Sequence, residues 1–293
     1  MSARTDLAPA LRRDLNMGNT WLLPAWSTGP VGDERAVLEA AAAAGYQGIQ
    51  GANPELCREL GLIPVTFDIR IEPGGLAEKA AMWADQGFAC ATLMVGTGFE
   101  SDAEADRLAE EIVEASVSAR FPLYLETHRA TMTQDMWRTL QLVGRHPDLR
   151  FNGDFSHWYT GQDMAVSDVN AKLDLLAPVI DRVRYLHGRI ASPGCVQIDV
   201  GDGRSHDAPV SHFREIWTRV FRGFISGAAD DPVPAPGLEI GFAPELLPGE
   251  FGYARYVPGP DGSLQEESDR WEQALVLTRL ASECFDTASG VRA

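Results

Sequence analysis

The chain has 293 residues, 45% of them hydrophobic and 23% charged, and a formal net charge of -17. That length suits one large α/β domain, here read as spanning 1-293, with enough apolar material for a sizeable core and no polar tract of the disordered kind. The acidic balance would repel a phosphodiester backbone, so nucleic acid is not the expected ligand. Cys57, Cys90, Cys195 and Cys284 are scattered without a C-x-x-C pair, which fits a reduced cytoplasm and speaks against a disulfide framework or a thiolate zinc site. Residues 1–16 carry arginines but no apolar leader, and no later stretch is long enough to span a bilayer. A cytoplasmic protein without a membrane partner is therefore expected.

In chain order, a first strand is expected over 20–26, a helix over 33–44, a second strand over 47–52 and a short helix over 55–60. Strands three and four fall at 64–69 and 90–95, separated by a helix through 76–85 and bounded by Gly or Pro. Ser101 with Glu104 makes a capping box for helix four, where Leu108, Ile112, Ala115 and Ala119 share one face. Strand five, 122–126, precedes a helix carrying Met136, Leu140 and Val143 and ending near His146, a residue placed to meet the terminal carbonyls. Strand six at 150–154, a helix at 169–177, strand seven at 184–189 and a helix at 210–224 follow. Strand eight is expected at 237–241, then a long Gly- and Pro-rich loop over about 242–268, read as a lid or subunit contact, and a closing helix over 268–284.

Eight alternations of strand and helix predict a parallel α/β protein. An open doubly wound sheet would place a G-x-G-x-x-G turn after its first strand, and none occurs, so a closed (β/α)8 TIM barrel is the stronger reading.

Four runs each end on a side chain able to hold a metal: Leu123-Tyr124-Leu125-Glu126, Phe151-Asn152-Gly153-Asp154, Arg184-Tyr185-Leu186-His187 and Gly237-Leu238-Glu239. On successive strands of a closed barrel these groups converge at the catalytic mouth. Crowded carboxylates repel one another unless a cation is present, so a metalloenzyme is expected. Three oxygen ligands with one imidazole suit one divalent ion, Mn2+ or Mg2+ ahead of Co2+, Fe2+ or Zn2+. His128, two residues past Glu126, shares its inward face as substrate contact or support for a carboxylate. Trp21, Trp26, Trp158 and Tyr159 sit at or just beyond strand ends, where an aromatic face could pack on a sugar's C–H surface or simply on the barrel, and Tyr253, in the loop read as a lid, is a further candidate substrate contact.

The order Glu, Asp-x-x-His (Asp154, His157), His-x-Arg (His187, Arg189) and Glu on strands five to eight resembles the xylose-isomerase-like TIM barrel superfamily, more narrowly its sugar isomerase and epimerase branch. The resemblance implies that Glu126, Asp154, His187 and Glu239 ligate one metal. It also implies that His157 and Arg189 touch substrate oxygens, and that Glu126 and Glu239 act as acid and base. The reaction implied is isomerisation or epimerisation of a small sugar or polyol by proton transfer through a metal-stabilised enediolate. A lyase or hydrolase of sugar-like or keto-sugar compounds is the alternative, and a non-catalytic sugar-binding barrel ranks below it. The superfamily's multi-zinc endonucleases share the Asp-x-x-His step, but their Asp-x-His element after strand seven and their early histidines are missing here. A homodimer is compatible with the resemblance, and the acidic balance favours a neutral substrate.

Overall fold

A computed structural model describes residues 7–69 and 74–290. Its elements, in chain order, are β1 (Ala10–Asn16), α1 (Glu34–Ala43), β2 (Gly48–Gln50), α2 (Pro54–Glu59), β3 (Ile63–Ile69), α3 (Leu76–Asp85), β4 (Ala91–Met94), α4 (Asp102–Ala119), β5 (Leu123–Glu126), α5 (Met136–Arg145) and β6 (Phe151–Gly153). They continue with α6 (Ser156–Gly161), α7 (Val169–Leu175), α8 (Ala177–Ile180), β7 (Val183–Gly188), α9 (Ala208–Gly227), β8 (Glu239–Pro244), the short strands β9 (Tyr256–Pro258) and β10 (Leu264–Glu266), and α10 (Arg270–Ser289). Strands β1 to β8 pair in parallel in sequence order and close β8 onto β1, forming a TIM barrel; β9 and β10 form a separate antiparallel hairpin. No helix among the described residues is long and apolar enough to cross a membrane.

Local chemistry explains the helix starts. Asp33, Asn53, Asp135, Asp168 and Asp269 each cap a helix by accepting from a backbone N–H of its first turn, and Ser101 with Glu104 forms the expected capping box on α4. Alternate strand residues divide between two cores. Leu15, Ile49, Leu93, Leu125, Phe151, Leu186 and Phe242 pack outward against the helices, while Val65, Cys90, Tyr124, Tyr185 and Ala243 form a small cluster inside the barrel. Tyr185 fills that interior because its neighbour is glycine: a Cβ on Gly241 would meet the tyrosine ring at 2.3 Å.

Two strands depart from the sequence expectation. The first strand is Ala10–Asn16, not 20–26, which instead leaves a 3-10 turn over Met17–Thr20 as irregular backbone with Leu22 at φ 49. The charged run Ala-Leu-Arg-Arg-Asp-Leu-Asn tolerates the barrel interior because Arg12 and Asp14, two apart on one face, neutralise each other through bonds of 2.8 and 2.7 Å. Trp21 and Leu22, whose apolarity suggested a strand, are exposed.

Strand eight is likewise displaced. Gly237 takes φ 66 in a 3-10 turn, so β8 begins at Glu239 and continues to Pro244. Glu239 pairs with Ala10 at the start of β1, where its carboxylate lies 3.8 Å from Arg12. The loop expected at 242–268 therefore starts after Pro244 and is partly ordered as the β9–β10 hairpin.

Candidate metal centre

At the carboxyl ends of the strands, Glu126 closes β5, Asp154 follows β6, His187 lies near the end of β7 and Glu245 follows β8. Each offers a ligand atom, and these atoms all lie within 4.8 Å of one another. Glu126, Asp154 and His187 are buried, at 3%, 0% and 2% exposure, and Glu245 is half-buried. Glu239 does not belong to it: it stands six residues before Glu245 on the same strand, roughly 20 Å away by strand rise. The structure thus replaces the expected fourth member with Glu245, and the cause is the register of β8.

Buried amides and hydroxyls orient the four groups. Asn152 Nδ2 donates to Glu126 Oε2 at 3.1 Å and lies 3.2 Å from His187 Nδ1. Asp154 Oδ1 accepts from the Ser156 hydroxyl at 2.5 Å and its backbone N–H at 3.1 Å, leaving Oδ2 to face Arg189 at 2.7 Å. Gln50 Oε1 accepts from Asn16 Nδ2 at 2.9 Å and faces His187 Nε2 at 2.9 Å, while its Nε2 donates to Thr92. With Nε2 facing Gln50, His187 turns Nδ1 toward the carboxylates, 3.6 Å from Glu126 and 3.4 Å from Glu245. Asn16 also donates to Glu245 Oε1 at 3.1 Å.

The electrostatics favour an added cation. Three carboxylates, two buried and one half-buried, face Arg189, which bridges Asp154 and Glu245, and His187. Burial pushes Asp154 up, but Arg189 and His157 outweigh it and hold the carboxyl well below its ordinary value. Burial likewise opposes ionisation of Glu126, and His187 overcomes it to lower that group. Glu245 is raised, chiefly by burial. His187 is disfavoured as a cation by burial, yet Glu245 and Glu126 lift it to about 9. Without a metal the cluster therefore recruits a proton on His187 to balance its anions; a divalent ion meets the same need with the oxygen-rich donor set that such ions take. The donors present fit that role. Nε and Nη1 of Arg189, fully buried, have no hydrogen-bond partner.

A cavity of about 200 Å³ opens beside the cluster. Asn16, Gln50, Thr92, Glu126, His128, His187 and Glu245 give it a polar floor, and Trp21, Phe67, Ile69, Met94, Leu247 and Tyr253 supply apolar walls. Tyr253 reaches in from the loop after β8: its ring covers the Arg189 guanidinium at 4.6 Å, and its hydroxyl is 3.5 Å from His128 Nε2. His157 and Arg189, expected to touch substrate, are buried behind His128 and Tyr253 respectively. Trp158 faces away altogether, with no exposed surface, its indole N–H donating to Thr133 O at 2.8 Å. That ring is core packing against Phe155 and not a sugar platform.

Comparison with solved structures finds the same fold in other proteins. A D-tagatose 3-epimerase-like protein aligns at 10% identity with a TM-score of 0.54, covering 96% of this chain and 99% of that one. A xylose isomerase-like TIM barrel protein from Mycobacterium smegmatis, in complex with magnesium, gives 10% identity and a TM-score of 0.53 over 97% and 98% of the two chains. These proteins share the TIM-barrel fold of this chain. A probable 3-DHS dehydratase from Bacillus anthracis shares it at 16% identity and a TM-score of 0.51, over 80% of this chain and 92% of that one, so the fold alone does not fix the reaction. No family model and no curated protein matches the chain.

Among residues not anticipated, Glu245 had been read only as part of the loop, and Asn16, Gln50 and Asn152 had not been singled out. Their signal was parity: Asn16 continues the inward face of Arg12 and Asp14, and Asn152 that of Asp154. The remaining histidines, His146, His206 and His212, belong to neither metal-capable cluster. His146 ends α5 and meets Asp106 at 2.9 Å, and His206 is exposed. His212 is half-buried beside the Tyr159 hydroxyl.

Proposed function

We propose that this xylose-isomerase-like barrel is a divalent-metal-dependent isomerase or epimerase of a small sugar or polyol, with Glu126 and Glu245 exchanging the proton. The convergence of Glu126, Asp154, His187 and Glu245 on one point at the floor of a small cavity is the observation that carries this reading. A divalent ion held by those four residues supplies polarisation of a substrate carbonyl, which acidifies the neighbouring C–H. The cavity is small against the usual span of ligand pockets, about 300–1,000 Å³, and suits a monosaccharide better than a polymer. Its Trp21 and Phe67 rings offer apolar faces to sugar C–H groups, while Asn16, Gln50 and His128 offer hydrogen bonds to hydroxyls.

Glu126 and Glu245 come from strands β5 and β8, separated around the barrel by β6 and β7. That separation lets their carboxylates approach a bound carbon from two directions. One removes a proton from the carbon beside the carbonyl, and the other returns a proton to the opposite face, inverting that centre. If the returned proton goes to the carbonyl carbon instead, the product is the aldose or ketose partner. Arg189, locked to both Asp154 and Glu245, holds the second glutamate in place.

Turnover of a panel of aldoses and ketoses with Mn2+ in D2O tests the reaction. Recovered product is expected to keep the mass of substrate apart from deuterium at the reacting carbon. A product lighter by one water would instead establish a dehydratase on the same residues and refute isomerisation.

A further inference from the structure

We propose that the site holds a second divalent-cation position, built from Glu126, His128 and His157 and distinct from the four-residue centre with which it shares Glu126. The three residues each present a ligand atom within 4.8 Å of the others, and all are buried or nearly so. His157 is the telling member. It is 2% exposed, and neither ring nitrogen has a hydrogen-bond partner; Nε2 lies 3.3 Å from Asp154 Oδ2 but out of alignment for a bond. Buried imidazoles ordinarily satisfy at least one nitrogen, so an orphaned pair points to a missing partner.

His128 completes the arrangement. Its Nδ1 meets the Arg129 carbonyl at 2.5 Å, the contact that makes Nδ1 the protonated nitrogen and leaves a lone pair on Nε2. That Nε2 has only the Tyr253 hydroxyl nearby, at a long 3.5 Å. The two ring centroids are 3.9 Å apart, so both imidazoles border the same small space beside Glu126.

The donor sets of the two positions differ in a way that separates their metals. Glu126, Asp154, Glu245 and His187 offer mainly oxygen and suit Mg2+ or Mn2+; Glu126, His128 and His157 offer mainly imidazole and suit Zn2+ or Co2+. The oxygen-rich centre is then the resident site of the proposed reaction, and the imidazole site is filled by the softer ion. Because both draw on Glu126, the second ion bears directly on how that carboxylate is shared.

Equilibrium dialysis of the metal-free protein against Zn2+, with elemental analysis, is expected to give two ions per chain, falling to one in His128→Gln and to one in Glu245→Gln. His128→Gln keeps a polar group of similar reach, and circular dichroism on each variant checks that it folds. One ion per chain, lost in Glu245→Gln and unaffected by His128→Gln, would overturn the second position and leave the four-residue reading standing. One ion lost only in His128→Gln would uphold the imidazole site and sink the four-residue centre. No bound ion would refute both.

Discussion

Glu245→Gln is expected to reduce turnover by about 10²–10⁴-fold, the range for loss of a positioned acid or base, whereas Glu239→Gln leaves turnover unchanged. The contrast follows from the register of β8. Both glutamates belong to the same stretch of chain, and only Glu245 emerges at the mouth beside His187 and Arg189. Glu239 is at the opposite rim, partly exposed and 3.8 Å from Arg12, a pairing whose loss costs little. Steady-state kinetics on both variants, at saturating Mn2+, decides it. An inactive Glu239→Gln beside an active Glu245→Gln would show that β8 is misregistered by six residues.

The largest effect on stability is expected from Asp14→Ala. Arg12 and Asp14 form a bidentate pair inside the barrel, with 2% and 0% exposure. Removing the carboxylate strands a guanidinium that burial has taken out of water, at a cost of about 3–5 kcal/mol. Glu239, at 3.8 Å and near the rim, compensates only weakly. Exchanging both residues for apolar ones of similar volume should cost much less than the single change, since neither charge is then left alone. Urea unfolding of the single and double variants measures the difference. Equal destabilisation by both would mean that the pair's burial is not what stabilises the barrel floor.

The same two regions show what could be read from the sequence and what could not. The eight-fold alternation and three of the four converging groups, Glu126, Asp154 and His187, were legible because each follows a short apolar strand of clear length. Strand eight was harder. Its inward positions are Gly241 and Ala243, kept small because Tyr185 fills the space, so no bulky side chain marked the inward face and Glu239 seemed to end the run. Only the left-handed backbone at Gly237 reveals that the strand starts later. In β1 the obscuring factor was charge: Arg12 and Asp14 cancel across one strand face, a pairing visible in space and not in hydropathy. The amides Asn16, Gln50 and Asn152 orient the site through hydrogen bonds between strands; parity puts Asn16 and Asn152 on the inward face, but nothing local to them shows which partners they meet. His157 and Trp158 illustrate the same limit, since adjacent positions on α6 differ in whether they face the cluster or the core.

The central claim is that one divalent ion is gripped jointly by groups from four strands. Anomalous diffraction from crystals soaked in Mn2+ measures this directly. The account predicts a peak coordinated by Glu126, Asp154, His187 and Glu245 at the barrel mouth. A peak at Glu239, or none among the four residues in fully loaded crystals, would contradict it.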